Sequence, residues 1–203
     1  MKYLDFKSHF TPFRIFSIND ISKWNSHFDS RRLIEWQNKG YLTKIINRWY
    51  TFSDDMPDRE FLFLASSRIY SPSYISLESA LSYYNLIPEG VFLITAITSL
   101  KTKNFETPIA NFRFRHVKNQ LIFGYDLIKT GNQHFKIASP EKLILDFFYL
   151  NSDYKNQDDF DSMRINISEL KSLLDLNVLN KYLGLYNNKA LEGRMRKFLK
   201  YVY

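Results

Sequence analysis

The alternation of apolar and polar positions divides the chain into a short first region and a longer second one with a different rhythm. In the first, apolar residues recur at helical spacing over Lys2–Phe10 and again from Ile18 to about Ser26. A third helical stretch lies in "FDSRRLIEWQNKG". Asp29 offers an N-cap carboxylate, and Gly40 offers the left-handed residue that commonly ends a helix. The period then changes to two in "YLTKIINRWYTF", which folds back at Asn47–Arg48 as a two-stranded ribbon. A tight turn there favours Asn-Gly, because both central residues take positive φ. Arg48 in the glycine position predicts a wider turn or a strained arginine. Three helices and a ribbon in about 50 residues are the layout of a winged helix-turn-helix.

"SDDMPDRE", Ser53–Glu60, is acidic, contains Pro57 and reads as a linker. The expected division is residues 1–55 and 56–203. In the second region "DREFLFLASSRIY" and "SYISLESALSYYNLI" read as helices, the latter capped by Ser76. "VFLITAIT", "NFRFRHV", "QLIFGYDLI" and "HFKIA" read as strands. "SPEKLILDFFYL" reads as a helix with Ser139 as cap and Pro140 at the first position. "NSDYKNQDDFDS", Asn151–Ser162, is expected to be a surface loop. The tail reads as helical, broken at "GLYNN" and ending in the basic "LEGRMRKFLKYVY". The predicted class is therefore α+β: an N-terminal winged helix-turn-helix, then a mixed α+β domain with an antiparallel sheet and a helical C-terminus.

Drawn on a helical wheel, Leu33, Ile34 and the stem of Gln37 form a packing side of the third helix, with Trp36 at its flank. Arg31, Arg32, Glu35, Asn38 and Lys39 form the free side. Arg and Asn have bidentate partners on guanine and adenine edges, and cations on a ribbon suit phosphates. The candidate DNA-contacting set is Ser30, Arg31, Arg32, Glu35, Asn38 and Lys39 on the helix, with Lys44, Asn47 and Arg48 on the ribbon. Glu35 counts against this, since a carboxylate on a reading face repels phosphate. The alternative is a protein-interaction module that neutralises a toxin or other partner without reading DNA.

Charge changes the picture because of where it sits. The 203 residues carry a formal net charge of +7, and residues 1–52 hold nine Lys/Arg against four Asp/Glu, so +5 lies in a quarter of the chain. A second basic segment, Lys101–Lys118, places Lys101, Lys103, Arg113, Arg115 and Lys118 as a possible second surface for DNA, RNA or a toxin. In a strand Arg113 and Arg115 share one face, and Phe112 and Phe114 the other. The tail residues Arg194, Arg196, Lys197 and Lys200 pose the same question. With Phe 18 and Tyr 14, the cores are expected to be aromatic.

Little enzymatic chemistry is visible. The absence of cysteine removes disulfides, thiolate metal sites and a thiol nucleophile, and fits a reducing cytoplasm. No secretory leader is read at the N-terminus, and apolar runs such as "FLFLA" are too short to span a bilayer. His9, His27, His116 and His134 are scattered, and neither G-x-S-x-G nor a P-loop occurs. No metal, cofactor or catalytic residue is expected. "SYISLESAL" and "SPEKLILD" each place Ser before a helix and Glu at its second position, which serves capping and the helix dipole. A convergence of Glu78, Glu141 and Asp146 on an acidic site is the weaker reading.

"FSINDISKW…RRLIEWQNKGYLTKIINRWYTF", "SSRIYSPSYISLESALSYYNLIPE", "FRFRHVKNQLIFGY" and "IASPEKLILDFFYL" together resemble the AbiEi-type family of antitoxins and transcriptional regulators. The resemblance spans roughly residues 13–150, and "SYISLESAL" and "IASPEKLILD" are its most specific parts. It implies a DNA-binding repressor of its own promoter. It also implies antagonism of a co-encoded nucleotidyltransferase-type toxin, as in abortive-infection systems that limit phage.

Overall fold

The computed structural model describes residues 2–88, 90 and 92–203. Its first six α-helices and β-strands are α1 (Tyr3–Phe10), β1 (Ile15–Ser17), α2 (Ile18–Trp24), α3 (Arg31–Asn38), β2 (Leu42–Ile46) and β3 (Trp49–Phe52). The strands form an antiparallel sheet in the order β1-β3-β2. β1 was not anticipated, because three residues carry too little alternation to register as a strand. It pairs with β3 and ends at Ser17, which opens α2 through a capping box: Asp20 N donates to Ser17 Oγ at 3.2 Å, and Ser17 N donates to Asp20 Oδ2 at 2.8 Å.

The ends of α3 follow from the residues expected to set them. Asp29 Oδ1 accepts from Arg31 N at 3.0 Å. At the other end Tyr41 N reaches Trp36 O and Gly40 N reaches Gln37 O, both at 2.9 Å, with Gly40 at φ +71°. This is the paired closure that satisfies the last carbonyls and needs a residue without a Cβ. An aromatic cluster holds the six elements together. Phe6 lies 4.8 Å from both Phe10 and Trp36, measured between ring centroids, and Phe16, Ile21, Leu33, Leu42, Tyr50 and Phe52 complete it. Each fully buried side chain of this kind contributes about 1.5–3 kcal/mol.

The rest of the chain builds α4 (Arg59–Ile69), β4 (Ser73–Ile75), α5 (Leu77–Tyr83), β5 (Leu93–Thr98), β6 (Lys103–Glu106), β7 (Asn111–His116), β8 (Tyr125–Thr130) and β9 (Gln133–Ala138). The helices α6 (Pro140–Leu150), α7 (Gln157–Ser162), α8 (Ile167–Leu173), α9 (Leu176–Tyr186) and α10 (Lys189–Val202) follow. The protein is thus a mixed α+β structure with a helical C-terminus. Its larger sheet runs β6-β7-β5-β4-β9-β8, and it is mixed rather than antiparallel as expected. β6 turns back on β7 at the sheet edge, which brings β7 alongside β5 in parallel. β9 likewise lies parallel to β4. α6 is buried along most of its length and packs on α5, α9, α10 and β9.

One further expectation is corrected. Residues 151–162 are not all loop, because Asn156 and Asp159 form a capping box that starts α7, and Phe160 anchors it in the core. The acidic segment 53–60, read as a linker, is held by specific contacts. Asp54 pairs with Lys7, and Asp55 takes both Nε and Nη2 of Arg14 at 3.0 and 2.8 Å. Asp58 takes Arg14 Nη1 at 2.9 Å while its other oxygen caps α4 through Phe61 N at 2.7 Å. The apparent linker acidity is a set of counter-charges and a helix cap. The break at "GLYNN" stands as expected: Asn187 is left-handed, and Asn188 caps α10.

Candidate nucleic-acid interface

α3 turns a different side inward from the one its apolar pattern suggested. Leu33 and Trp36 are buried, Arg32 and Gln37 lie half-buried at the flanks, and Ile34 is 61% exposed. Trp36 belongs inside because its ring meets Phe6, Tyr3 and Phe28. The outward face therefore carries Ile34 and Asn38 one turn apart, flanked by Arg31 and Glu35. Gln37 is not free, since its Nε2 donates to Leu33 O at 2.8 Å.

Three of the expected contact residues, Arg31, Glu35 and Lys39, are already paired on or beside the helix. Arg31 reaches Asp29 through Nε at 3.0 Å and Nη2 at 2.9 Å. Lys39 Nζ sits 2.6 Å from Glu35 Oε1, an i,i+4 pair. The hydrogen bond from Lys39 holds the Glu35 carboxyl below its ordinary range. The carboxylate on the face expected to read DNA is thereby offset locally, although exposed pairs of this kind contribute little in water.

The ribbon has the turn that the sequence called into question. Arg48 takes the left-handed conformation at φ +70°, while Asn47 does not. A bulge sits one step earlier: Lys44 opposes Tyr50 and Ile46 opposes Trp49, so Ile45 is the extra residue. It drops into the larger core with Ile15. Cross-strand partners share a face, so Lys44 and Tyr50 lie on the same side, toward α3. Arg48 O accepts from Ile18 N at 3.1 Å, which fixes the ribbon tip at the start of α2. The result is a groove of about 370 Å³ lined by Ile18, Ser30, Leu33, Ile34, Gln37, Asn38, Lys44 and Tyr50. Ser30, Asn38 and Lys44 of the expected set thus meet in one place. Arg32 is half-buried on the helix flank, and Asn47 and Arg48 are exposed at the ribbon tip.

The second basic segment does not form one surface. Lys103 opposes Phe114 across the β6–β7 pair, so it lies on the Phe112 and Phe114 face and stacks over Tyr70 and Phe105. Arg113 and Arg115 project from the opposite face, as their spacing predicted. Arg115 is occupied, donating to Asn151 Oδ1 and Leu150 O, both at 2.8 Å, where it closes the end of α6. Lys101 and Lys118 are exposed.

The carboxylates Glu78, Glu141 and Asp146 do not share a site. Glu78 lines the mouth of an apolar pocket with Arg113, over Leu81, Phe147, Tyr154 and Met163. Glu141 accepts from Asp175 N at 3.0 Å and from Ser139 Oγ at 2.9 Å. Asp146 is fully buried beside Lys142, also fully buried. Lys142 Nζ donates to Asp146 Oδ1 and to Tyr186 Oη, the latter at 2.7 Å. Tyr186 Oη donates to the same carboxylate oxygen at 2.5 Å. Tyr74 Oη and Ser76 Oγ donate to Oδ2 at 2.8 and 3.1 Å. The ammonium also faces the rings of Tyr74, Phe123 and Tyr186.

Ser76 is therefore not the helix cap its position suggested; it spends its hydroxyl on Asp146, whereas Ser139 does cap α6. The sequence reading missed this cluster. Its only local signal was Lys and Asp at i,i+4 in "EKLILD", indistinguishable from a surface pair. Burial lowers the pKa of Lys142 against the opposing pull of Asp146, and raises those of Tyr74 and Tyr186 well above the ordinary phenol value. No protein-family model matches the chain, and no curated protein matches it. Among the described residues, no helix is long and apolar enough to cross a membrane.

Proposed function

We propose that residues 1–55 are a winged helix-turn-helix that binds duplex DNA, and that the protein represses its own promoter as the antitoxin of an operon with a nucleotidyltransferase-type toxin. The observation that carries the DNA half is the groove between α3 and the ribbon, where an outward helix face with Asn38 stands beside Lys44. The element order supports the same reading: helix, strand, two helices, then a ribbon whose second strand pairs with the first strand. Lys44, Asn47 and Arg48 would lie along phosphates while α3 enters the major groove. The antitoxin half rests on the resemblance of "SYISLESAL" and "IASPEKLILD" to the AbiEi-type family.

The test is fluorescence anisotropy with duplexes from the region upstream of the gene, across a salt series. Wild-type protein is expected to bind with a steep salt dependence, and Lys44→Ala to flatten the slope by about one unit. Absence of binding to any duplex at low salt would sink the DNA half. Rescue of growth in cells expressing the neighbouring gene product tests the antitoxin half separately. One observation favours a protein-docking use of the same face: Ile34 is exposed while Arg31 and Glu35 are already paired. A toxin complex that survives charge reversal at Arg32 and Lys44, with no DNA binding, would establish that use instead.

A further inference from the structure

We infer that the reading face of α3 selects A·T pairs in duplex DNA, with Ile34 against the C5-methyl group of thymine and Asn38 paired to adenine. This rests on the duplex-DNA reading proposed above and adds to it a base preference with named readers.

The inference follows from which groups on α3 are left to read. Gln37, which has the chemistry to address adenine, is tied to the backbone oxygen of Leu33. Arg31 and Lys39 are held by Asp29 and Glu35. When such exposed pairs open, their long cationic side chains exchange one anion for another, and phosphate is the anion at hand. Arg32 sits on the half-buried flank, away from the outward centre of the helix. The exposed groups on that face that no ion pair occupies are Ile34 and Asn38, and the Asn38 side chain makes no hydrogen bond within the described residues.

An asparagine amide matches the N6 donor and N7 acceptor of adenine, whereas guanine presents two acceptors to the major groove. An aliphatic side chain has no polar partner on any base and gains only from the thymine methyl. Residues at i and i+4 stand about 5–6 Å apart on a helix, against a rise of about 3.4 Å per base. Ile34 and Asn38 therefore address positions one or two steps apart. The placement of Lys44 and Tyr50 across the groove bounds this pair on its ribbon side. Ile34 is free for such a contact, since Leu33 and Trp36 supply the core contact of α3.

The experiment starts by selecting duplexes from a randomised pool on the wild-type protein. Their affinity is then measured with every thymine of the selected core replaced by deoxyuridine, which removes the methyl and nothing else. Wild-type protein should select adjacent A·T pairs and lose roughly three- to tenfold in affinity on the uracil duplex. Ile34→Ala should lose a similar factor on the thymine duplex and show no further loss on uracil. Asn38→Ala should relax the preference at the adenine position. Both positions are exposed, and circular dichroism with the urea midpoint confirms that the variants fold. Equal wild-type affinity for thymine and uracil duplexes, or selection of G·C at these steps, overturns the base preference while leaving DNA binding intact. A pool from which nothing is recovered at low salt overturns both.

Discussion

Asp146 shows at the scale of single residues what the sequence hides. Its carboxylate collects Lys142, Tyr186, Tyr74 and Ser76 from three separate stretches of chain. The segments "SYISLESAL" and "IASPEKLILD" therefore meet at one buried charge. That meeting is not legible in the sequence because Tyr74 lies 72 positions from Asp146, and nothing local distinguishes a buried Lys–Asp step from a solvated one. Removing the cation leaves a carboxylate buried without its counter-charge. Lys142→Met is accordingly expected to destabilise the protein by about 3–5 kcal/mol, read as a shift of the urea midpoint at unchanged slope; a shift under 1 kcal/mol would mean that the hydroxyls alone hold Asp146.

The tyrosines give a pH signature. Tyr74, Tyr84 and Tyr186 have pKa values raised by burial above the ordinary 10.0, so the unfolded chain releases these protons first as pH rises. Their contribution is fully present below pH 10 and is lost progressively above it. Lys142, lowered by burial, acts in the opposite sense, but its effect lies below its ordinary value of 10.5 and is complete there, so the tyrosines govern the range above it. Urea midpoints are expected to fall between pH 10 and 11, with phenolate absorbance from these rings appearing only on unfolding.

At the scale of elements, the ends of α3 were legible and its orientation was not. Asp29 and Gly40 set the limits of the helix through local chemistry that any reader of the chain can see. Which apolar residue faces inward is decided elsewhere, by rings of Phe6, Tyr3 and Phe28 that receive Trp36 and leave Ile34 outside. Strand β1 and the parallel pairings were hidden for a similar reason: they depend on partners far along the chain. The ribbon offers a clean separation of structure from function. Arg48 stands at φ +70°, a conformation that costs a non-glycine residue roughly 1–2 kcal/mol. Arg48→Gly should recover about 1 kcal/mol in urea unfolding, reduced by the added freedom of the unfolded chain. The same change removes an exposed cation at the ribbon tip, and duplex affinity at low salt should fall severalfold. A variant that gains neither stability nor loses affinity would place Arg48 outside both roles.

At the scale of the molecule, the acidic segment 53–60 contacts both cores. Arg14 grips Asp55, Asp58 and the backbone oxygen of Met56, and its guanidinium lies 4.7 Å from the centre of the Phe61 ring. The hydrogen bond to Asp55 raises the Arg14 pKa further, so the cation persists at any working pH. Nearby, Gln133 donates to Phe13 O while accepting from Arg68 at 2.9 Å, and Ile15 and Ile45 of the smaller sheet are buried in the larger core. The groove between α3 and the ribbon is thus tied to the larger core. If that tie depends on Arg14, Arg14→Ala removes a charge-assisted network that is only partly exposed, costing about 1–2 kcal/mol locally. One to two kcal/mol corresponds to a factor of about 5–30 in the population of the opened form. Limited proteolysis within residues 53–58 should accelerate by that factor, while the far-ultraviolet circular dichroism of the variant stays that of the wild type. Unchanged cleavage would assign the tie to Ile15 and Ile45, whose substitution by alanine would then release the segment in place of Arg14.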